Sequence, residues 1–182
     1  RLYEWSRLHS QKIVHGRDLA EGLVQDGNMG TLARAALDLR SSRRSLEEEV
    51  ILAVQALAPN LSSLAGPVLA ARIISRAGGL SNLARMPSSR IQVMGAEKSL
   101  FKHLSGHAPS PKHGIIYRHP AVSGSARRQR GKAARALAAK LAIAARLDAG
   151  GCSLSSDLAE SLSCRLSDIK QRAGRSKRPA KG

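Results

Sequence analysis

The stretch from residue 131 to residue 148 constrains the fold of this chain more than any other segment. Apolar side chains recur there at the three- and four-residue spacing of one helix face: Ala134, Leu137, Ala138, Leu141 and Ala145. Two glycines, at positions 150 and 151, end the pattern. Alanine and leucine dominate the apolar residues of the whole chain, and both favour helices. We therefore predict an all-α fold.

Shorter patterns predict the remaining elements. Helices are expected over residues 1–25, 31–39, 45–57, 67–77, 80–85, 95–104 and 155–171. The first has Trp5 and Leu8 as anchors and ends before a turn at residues 26–28, whereas the third begins at a capping box, Ser45-Leu46-Glu47-Glu48. Residues 58–60 should break that helix, and short extended pieces are expected at 91–93 and 114–117. Side chains expected to face a core are Val50, Ile51, Val54, Leu57, Leu100, Phe101 and Leu104.

Positive charge is concentrated in the middle of the chain. The formal net charge of the 182 residues is +17. Residues 50–147 hold fifteen lysines and arginines but a single carboxylate, Glu97. Such a block cannot neutralise itself by internal ion pairs, whereas a polyanion supplies the counter-charge and gains from counterion release. This imbalance favours a nucleic-acid partner over the alternative, a surface charged only for solubility.

Several other functions find little support in the sequence. Aromatic residues make up 2% of the chain, which argues against folds that read bases by stacking on several rings. There is no phosphate-binding glycine loop and no pair of carboxylates in the basic block, so we expect neither an enzyme nor a cofactor. His103 and His107 lack a third ligand, so no metal is expected at these histidines. Cys152 and Cys164 are too few for a disulfide framework, and a zinc site would need more ligands than these two. No apolar run is long enough for a membrane span.

Two local patterns place cations on helices. The helix that opens at Gly95-Ala96 offers backbone amides to an anion, and Lys98 and Lys102 share one of its faces. An ordinary amphipathic helix with a glycine cap explains this spacing equally well. Further along, Arg128, Lys132 and Arg135 should share one helical face and contact phosphates.

The chain also resembles a known family, the Nop domain of the box C/D RNP core scaffold protein and of a related pre-mRNA splicing factor, in an archaeal-like form. Four stretches carry the resemblance: APNLSSLAGP (58–67), AGGLSNLARMP (77–87), IQVMGAEKSLFKHL (91–104) and PKHGIIYRHP (111–120), the last continuing into RGKAARALAAK (130–140). The string Gly95-Ala96-Glu97-Lys98 is the most diagnostic, and the match runs from about residue 46 to residue 148.

The resemblance implies an all-α RNP-binding module that recognises a kink-turn RNA together with the small ribosomal-type protein bound to it. It implies a scaffold for a methyltransferase, fibrillarin, which is a separate subunit. Combined with the charge pattern, it predicts these RNA-binding residues: Gly95, Ala96, Lys98, Lys102, Lys112, His113, Arg118, His119, Arg128, Arg130, Lys132 and Arg135. The expected location is the cytoplasm of an archaeon, or the nucleus or nucleolus of a eukaryote.

The same comparison suggests a division of the chain. Residues 1–44 would form a helical lead-in left from the coiled-coil region, residues 45–171 the Nop-type domain, and residues 172–182 a disordered basic tail. Because residues 1–9 resemble the segment that follows the fibrillarin-binding domain of the family, we do not expect this chain to bind fibrillarin. We likewise expect no dimerisation through a long coiled coil. The alternative function is a general basic nucleic-acid-binding protein of the ribosome or chromatin, without a specific protein partner.

Overall fold

The computed structural model of the chain describes residues 17–24, 29–153 and 155–175. Those residues form ten α-helices and one 3-10 turn, with no strand among them, so the all-α prediction is confirmed. The expected anchors Trp5 and Leu8, the turn at residues 26–28 and the tail from residue 176 onward lie outside the described residues.

The elements follow one another with short connections. They are α1 Arg17–Gly22, α2 Gly30–Leu57, α3 Pro59–Ala65, α4 Pro67–Ala77, α5 Leu80–Arg85, α6 Ser88–Val93, α7 Glu97–Leu104, the 3-10 turn Ile115–Arg118, α8 Pro120–Ser123, α9 Arg130–Ala149 and α10 Ser156–Arg175. The chain divides into two compact units, Arg1–Glu49 and Val50–Gly182. The predicted domain limits at residues 44 and 171 remain predictions. None of the helices in the described residues is both long and apolar enough to cross a membrane.

Helix α2 is continuous where the sequence suggested two helices. Neither glycine nor proline interrupts residues 31–57, and two exposed ion pairs link successive turns across the expected break. Arg43 lies 3.5 Å from Glu47, and Arg44 lies 3.2 Å from Glu48. The prediction of a helix start at Ser45 is therefore wrong, because residues typical of a capping box are also acceptable inside a helix that nothing breaks.

The core of the second unit is built around α9, which packs against α3, α5, α6, α8 and α10. Its predicted apolar stripe is fully buried, from Ala134 through Leu141 to Ala145. Small side chains let the neighbouring backbones approach this helix on several sides. Leu61, Ile73 and Leu83 complete the core from other helices.

The carboxyl end of α9 holds the start of α3 in place. The buried carboxylate of Asp148 accepts hydrogen bonds from the Asn60 amide (2.9 Å), the Asn60 side chain (2.8 Å) and the Leu61 amide (2.8 Å). It therefore caps the N-terminus of a helix 88 residues earlier in the chain. The sequence patterns missed α3, because Pro59 was interpreted as a helix breaker although proline is well suited to the first position of a helix.

Two expected extended pieces are helical. Residues 91–93 end α6, where Ile91 is fully buried, and residues 115–118 form the 3-10 turn. The predictions are wrong because a three-residue window cannot distinguish helical from extended periodicity.

Several side chains expected in the core are exposed. Val50 and Leu57 of α2 are 44% and 55% exposed, whereas Val54 between them is buried. On α7, Phe101 is 68% and Leu104 is 72% exposed. Periodicity identifies an apolar face, but it does not tell whether another element covers that face. The prediction that these four side chains point inward is therefore wrong.

Candidate nucleic-acid interface

The loop before the 3-10 turn is fixed to the end of α6 by backbone contacts. The Gly114 amide donates to Gln92 O (2.9 Å), and the Ile115 amide donates to Met94 O (2.8 Å). The Gln92 side chain donates to Lys112 O at 2.8 Å. A Cβ atom on Gly114 would lie 1.9 Å from Met94 O, so only glycine permits this approach. The docking positions Lys112 and His113 on a rigid support.

Gly95 also serves packing within the chain. Its φ angle is +87°, and a Cβ atom there would lie 2.4 Å from Cγ2 of Ile115. The sequence suggested that Gly95 leaves room for an external partner. In the structure, the group that approaches its backbone is Ile115.

The backbone amides of Gly95 and Ala96, just before α7, already have hydrogen-bond partners. The Gly95 amide donates to the Glu97 carboxylate at 2.8 Å, and the Ala96 amide donates to Val93 O at 2.9 Å. Hydrogen bonds to the Glu97 carboxylate, from its own backbone amide and then from the Gly95 amide, lower the pKa of Glu97. The charge of Arg76, 3.5 Å away, lowers this pKa by a smaller amount. A phosphate contact at Gly95 would have to displace this carboxylate. We therefore leave the amides of Gly95 and Ala96 out of the proposed interface.

The residues with the clearest geometry for an anion are brought together at the start of α9. We call Lys112, His113, Tyr117 and Arg130 the basic corner. The His113 and Tyr117 rings stack with centroids 4.7 Å apart and planes 22° apart. The Arg130 guanidinium lies 5.3 Å from the centroid of the Tyr117 ring, a cation–π distance, and its Nε donates to Ser125 O at 3.1 Å.

Among the described residues, no carboxylate lies within 4.0 Å of the Lys112 or Arg130 charge in the basic corner. Burial lowers the pKa of His113 below its ordinary value, and the charges of Arg130 and Lys112 lower it further. The Lys112 stem lies against α9, since a Cβ atom on Gly131 would be 3.6 Å from Lys112 Cβ. An anion placed here would reduce the repulsion among these groups.

His119 does not belong to this surface. Its Nδ1 accepts a hydrogen bond from the Ala121 amide (3.1 Å), so its Nε2 carries the proton that it donates to Leu64 O (3.0 Å). Burial lowers its pKa, which favours this neutral form. His119 caps α8 and ties it to α3, and its ring has no free nitrogen for RNA.

Three other predicted cations are exposed. Lys98 and Lys102 are exposed on α7, and Arg128 is exposed ahead of α9. Because α9 begins at Arg130, the prediction that Arg128 shares a helical face with Lys132 and Arg135 is wrong.

Three predicted residues, Arg118, Lys132 and Arg135, line pockets together with cations that the sequence analysis missed. Arg118 borders two surface pockets of about 340 and 600 Å³, together with Arg72, and the larger pocket also includes Arg76. Lys132 and Arg135 line a groove with residues of α10. The four-residue spacing of Arg72 and Arg76 was the sequence signal that could have revealed the first group.

Ion pairs are scarce on this surface. Within the described residues, three pairs of cation and carboxylate lie within 4.0 Å, and of these only Arg76–Glu97 includes a cation from residues 50–147. No group of three metal-ligating side chains occurs in the same described part of the chain. The arrangement is thus suited to binding an anion through lysine and arginine side chains.

Comparison with known proteins identifies the family. A model of the Nop family, described as "snoRNA binding domain, fibrillarin", matches residues 9–170. A NOP5 family protein of Methanocaldococcus jannaschii is 43% identical over 170 residues, which are 92% of this chain and 41% of that protein. Nucleolar protein 58 of Schizosaccharomyces pombe is 44% identical over 122 residues, or 67% of this chain and 24% of that protein.

A solved structure agrees in fold. A chain in the crystal structure of a fibrillarin/Nop5p complex has a TM-score of 0.68 and 33% sequence identity, with 84% of this chain and 58% of that chain covered. The chain therefore belongs to the Nop family, as its motifs predicted. It spans about two fifths of the archaeal relative and about a quarter of the yeast relative.

Proposed function

We propose that this chain is a non-catalytic RNA-binding scaffold domain of a ribonucleoprotein. Its proposed ligand is a kink-turn RNA with the small ribosomal-type protein bound to it. The observation that carries the proposal is the cationic surface of α7, the basic corner and the start of α9, which almost no carboxylate neutralises. The family description as a snoRNA-binding domain supports RNA as the polyanion.

The basic corner is the proposed centre of the RNA contact. Lys112, Arg128 and Arg130 would neutralise phosphates, and the stacked rings of His113 and Tyr117 offer a flat surface beside them. Lys98, Lys102 and Arg118 would extend the contact on either side. Lys132 and Arg135 would contribute from the first turns of α9.

The exposed apolar side chains of α7 support the protein half of the ligand. Phe101 and Leu104 lie on the same short helix as Lys98 and Lys102. Apolar side chains that are two thirds exposed next to cations suit a composite surface of protein and RNA better than a surface that contacts phosphates alone.

Binding of a fluorescent kink-turn RNA, measured by anisotropy with and without the ribosomal-type protein, tests this proposal. Affinity should fall steeply between about 50 and 200 mM salt, with roughly one unit of slope for each phosphate contact. The ribosomal-type protein should raise the affinity at least tenfold. A Phe101→Ser/Leu104→Ser variant should lose that gain while it keeps the salt slope for RNA alone.

The same experiment separates the alternative function. Equal affinity for a random duplex, with no effect of the ribosomal-type protein, would contradict the proposal and support a general basic nucleic-acid-binding protein. Affinity that does not depend on salt would contradict both.

The proposal assigns no chemistry and no fibrillarin contact to residues 45–171. The fibrillarin named in the similar crystal structure would act as a separate subunit. By analogy with the nucleolar relatives, we propose the nucleolus as the location in a eukaryote and the cytoplasm in an archaeon.

A further inference from the structure

A groove of about 740 Å³ runs between α9 and α10. Its lining includes five cations: Lys132, Arg135 and Lys140 on α9, and Arg165 and Arg172 on α10. At 1.5 Å per residue, these cations extend over about 12 Å of α9 and about 10 Å of α10, the length of about two helical turns.

The charge of the groove is not balanced by its own residues. Asp168 is the one carboxylate in the lining, and none of the five cations lies within 4.0 Å of any carboxylate of the described chain. Lys140 donates to the Ser161 hydroxyl at 2.6 Å, which leaves its charge uncompensated. The lining thus has a net charge of +4.

Apolar side chains also line the groove. Ala136 and Ala139 of α9 and Ile169 of α10 lie among its lining residues, all three partly exposed. Alanine allows another backbone to come close, and each covered methyl group gains free energy by leaving water.

We propose that this groove binds an acidic amphipathic helix of a partner protein. The apolar stripe of such a helix would cover the apolar side chains of the groove, while its glutamates and aspartates would meet the cations of both helices. A groove that combines uncompensated cations with apolar side chains is the complement of that pattern.

An RNA strand fits the groove less well. Phosphates would use the cations but would leave the apolar side chains of the groove uncovered, and none of the described residues that line the groove offers an aromatic ring for stacking of a base. The basic corner differs in this respect, since the rings of His113 and Tyr117 lie beside its cations. The RNA contact centred on the basic corner and the acidic helix in the groove would therefore overlap at Lys132 and Arg135 and differ elsewhere.

A labelled synthetic peptide tests the groove. The probe is an acidic helix of about eighteen residues, with leucines at the three- and four-residue spacing of one face and glutamates on both flanks. A scrambled peptide of the same composition has no stripe. The full chain should bind the probe at least tenfold more tightly than the scrambled form, and Arg165→Glu/Arg172→Glu should weaken binding of the probe at least tenfold.

Two further variants separate groove shape from net charge. Ala139→Gln places a larger side chain in the groove without a change of charge and should also weaken binding of the probe. Arg85→Glu/Arg90→Glu makes the same change of charge as Arg165→Glu/Arg172→Glu, but at exposed arginines outside the groove lining. It should alter the affinity for the probe less than threefold. Circular dichroism of each variant checks that it is folded.

The outcome for RNA distinguishes this proposal from the function proposed above. Arg165→Glu/Arg172→Glu should leave kink-turn RNA affinity within threefold of the original. If that variant weakens RNA binding while the peptide is unaffected, the groove belongs to RNA. Two outcomes would overturn the proposal: equal affinity for the probe and the scrambled peptide, or an equal loss of probe affinity in the Arg85/Arg90 control. Either would show that the peptide is bound through net charge and not through the groove.

Discussion

The two ends of helix α9 use charge in opposite ways. At the carboxyl end, the buried Asp148 accepts three hydrogen bonds from the start of α3. At the amino end, Arg130 and Lys132 have no carboxylate within 4.0 Å in the described part of the chain. Both ends oppose the helix dipole, which favours acids at the amino end and bases at the carboxyl end.

The difference shows where the fold supplies its own counter-charges. Asp148 is compensated by amides of the same unit, so its charge stabilises the native state. The cations at the amino end lower the stability of α9 slightly and gain nothing from neighbouring carboxylates. We interpret them as charges kept for a partner, which agrees with the proposed RNA contact.

Asp148→Ala should produce the largest effect. It would leave two helix-start amides without their acceptor in a buried site and would remove one of the two acceptors of the Asn60 side chain, at a cost of about 3 kcal/mol. Urea unfolding of the variant and of Asp38→Ala, an exposed acid on α2, measures this cost. The control should stay within about 0.5 kcal/mol. If both variants lose the same small amount, Asp148 does not hold α3.

Charge reversal at the other end should alter binding rather than folding. Lys112→Glu/Arg128→Glu should raise the dissociation constant for kink-turn RNA at least tenfold, about 1.4 kcal/mol, because two phosphate contacts become repulsive. The unfolding free energy should stay within about 0.5 kcal/mol. Arg85→Glu/Arg90→Glu is the control with the same charge change. Equal losses in the two variants would show that net charge, and not the position of Lys112 and Arg128, determines affinity.

Lys132→Glu should stabilise the fold by about 0.5 kcal/mol while it weakens RNA binding. A carboxylate in the first turn of α9 would interact favourably with the helix dipole, where a lysine now opposes it. Thermal unfolding compared with Arg72→Glu, in the middle of α4, isolates the dipole effect. A loss of stability in Lys132→Glu would contradict the idea that this end is kept basic at a cost.

The smallest effect concerns pH. The pKa of His119 is lowered in the folded state by burial, so the unfolded chain takes up the proton first as the pH falls. Its stabilising effect is complete above about pH 6.5 and declines below that value, toward the lowered pKa. His119→Asn keeps an acceptor for the Ala121 amide, and its melting temperature should decline less between pH 7.5 and 5.5. If the melting temperatures of the two proteins decline in parallel as the pH falls, the acid sensitivity comes from another group, for instance His113.

Local signals predicted many of the helices well. Pro67 begins α4, Gly78 in the left-handed conformation ends it, and the stripe of α9 lies in the core as expected. These features depend on neighbours three or four residues away, which the sequence displays directly. The start of α3 was missed because its cap comes from Asp148, far along the chain.

The site was predicted in part. Lys98, Lys102, Lys112 and Arg128 are exposed cations as expected, although their contact with RNA remains a proposal. The sequence could not show that the Gly95 amide donates a hydrogen bond to Glu97. It also could not show that both ring nitrogens of His119 form hydrogen bonds within the chain. Nor could it show that Arg165 of α10 lines the same groove as Arg135 of α9.

The sequence by itself determined the helical class, the excess of cations and the motifs of the Nop family, because each is a property of composition or of short spacing. The tertiary structure alone decided which apolar faces are covered, which cations lie together and which polar groups already have partners. Those outcomes depend on contacts between residues far apart in the chain, as Phe101 in solvent and Asp148 in the interior illustrate.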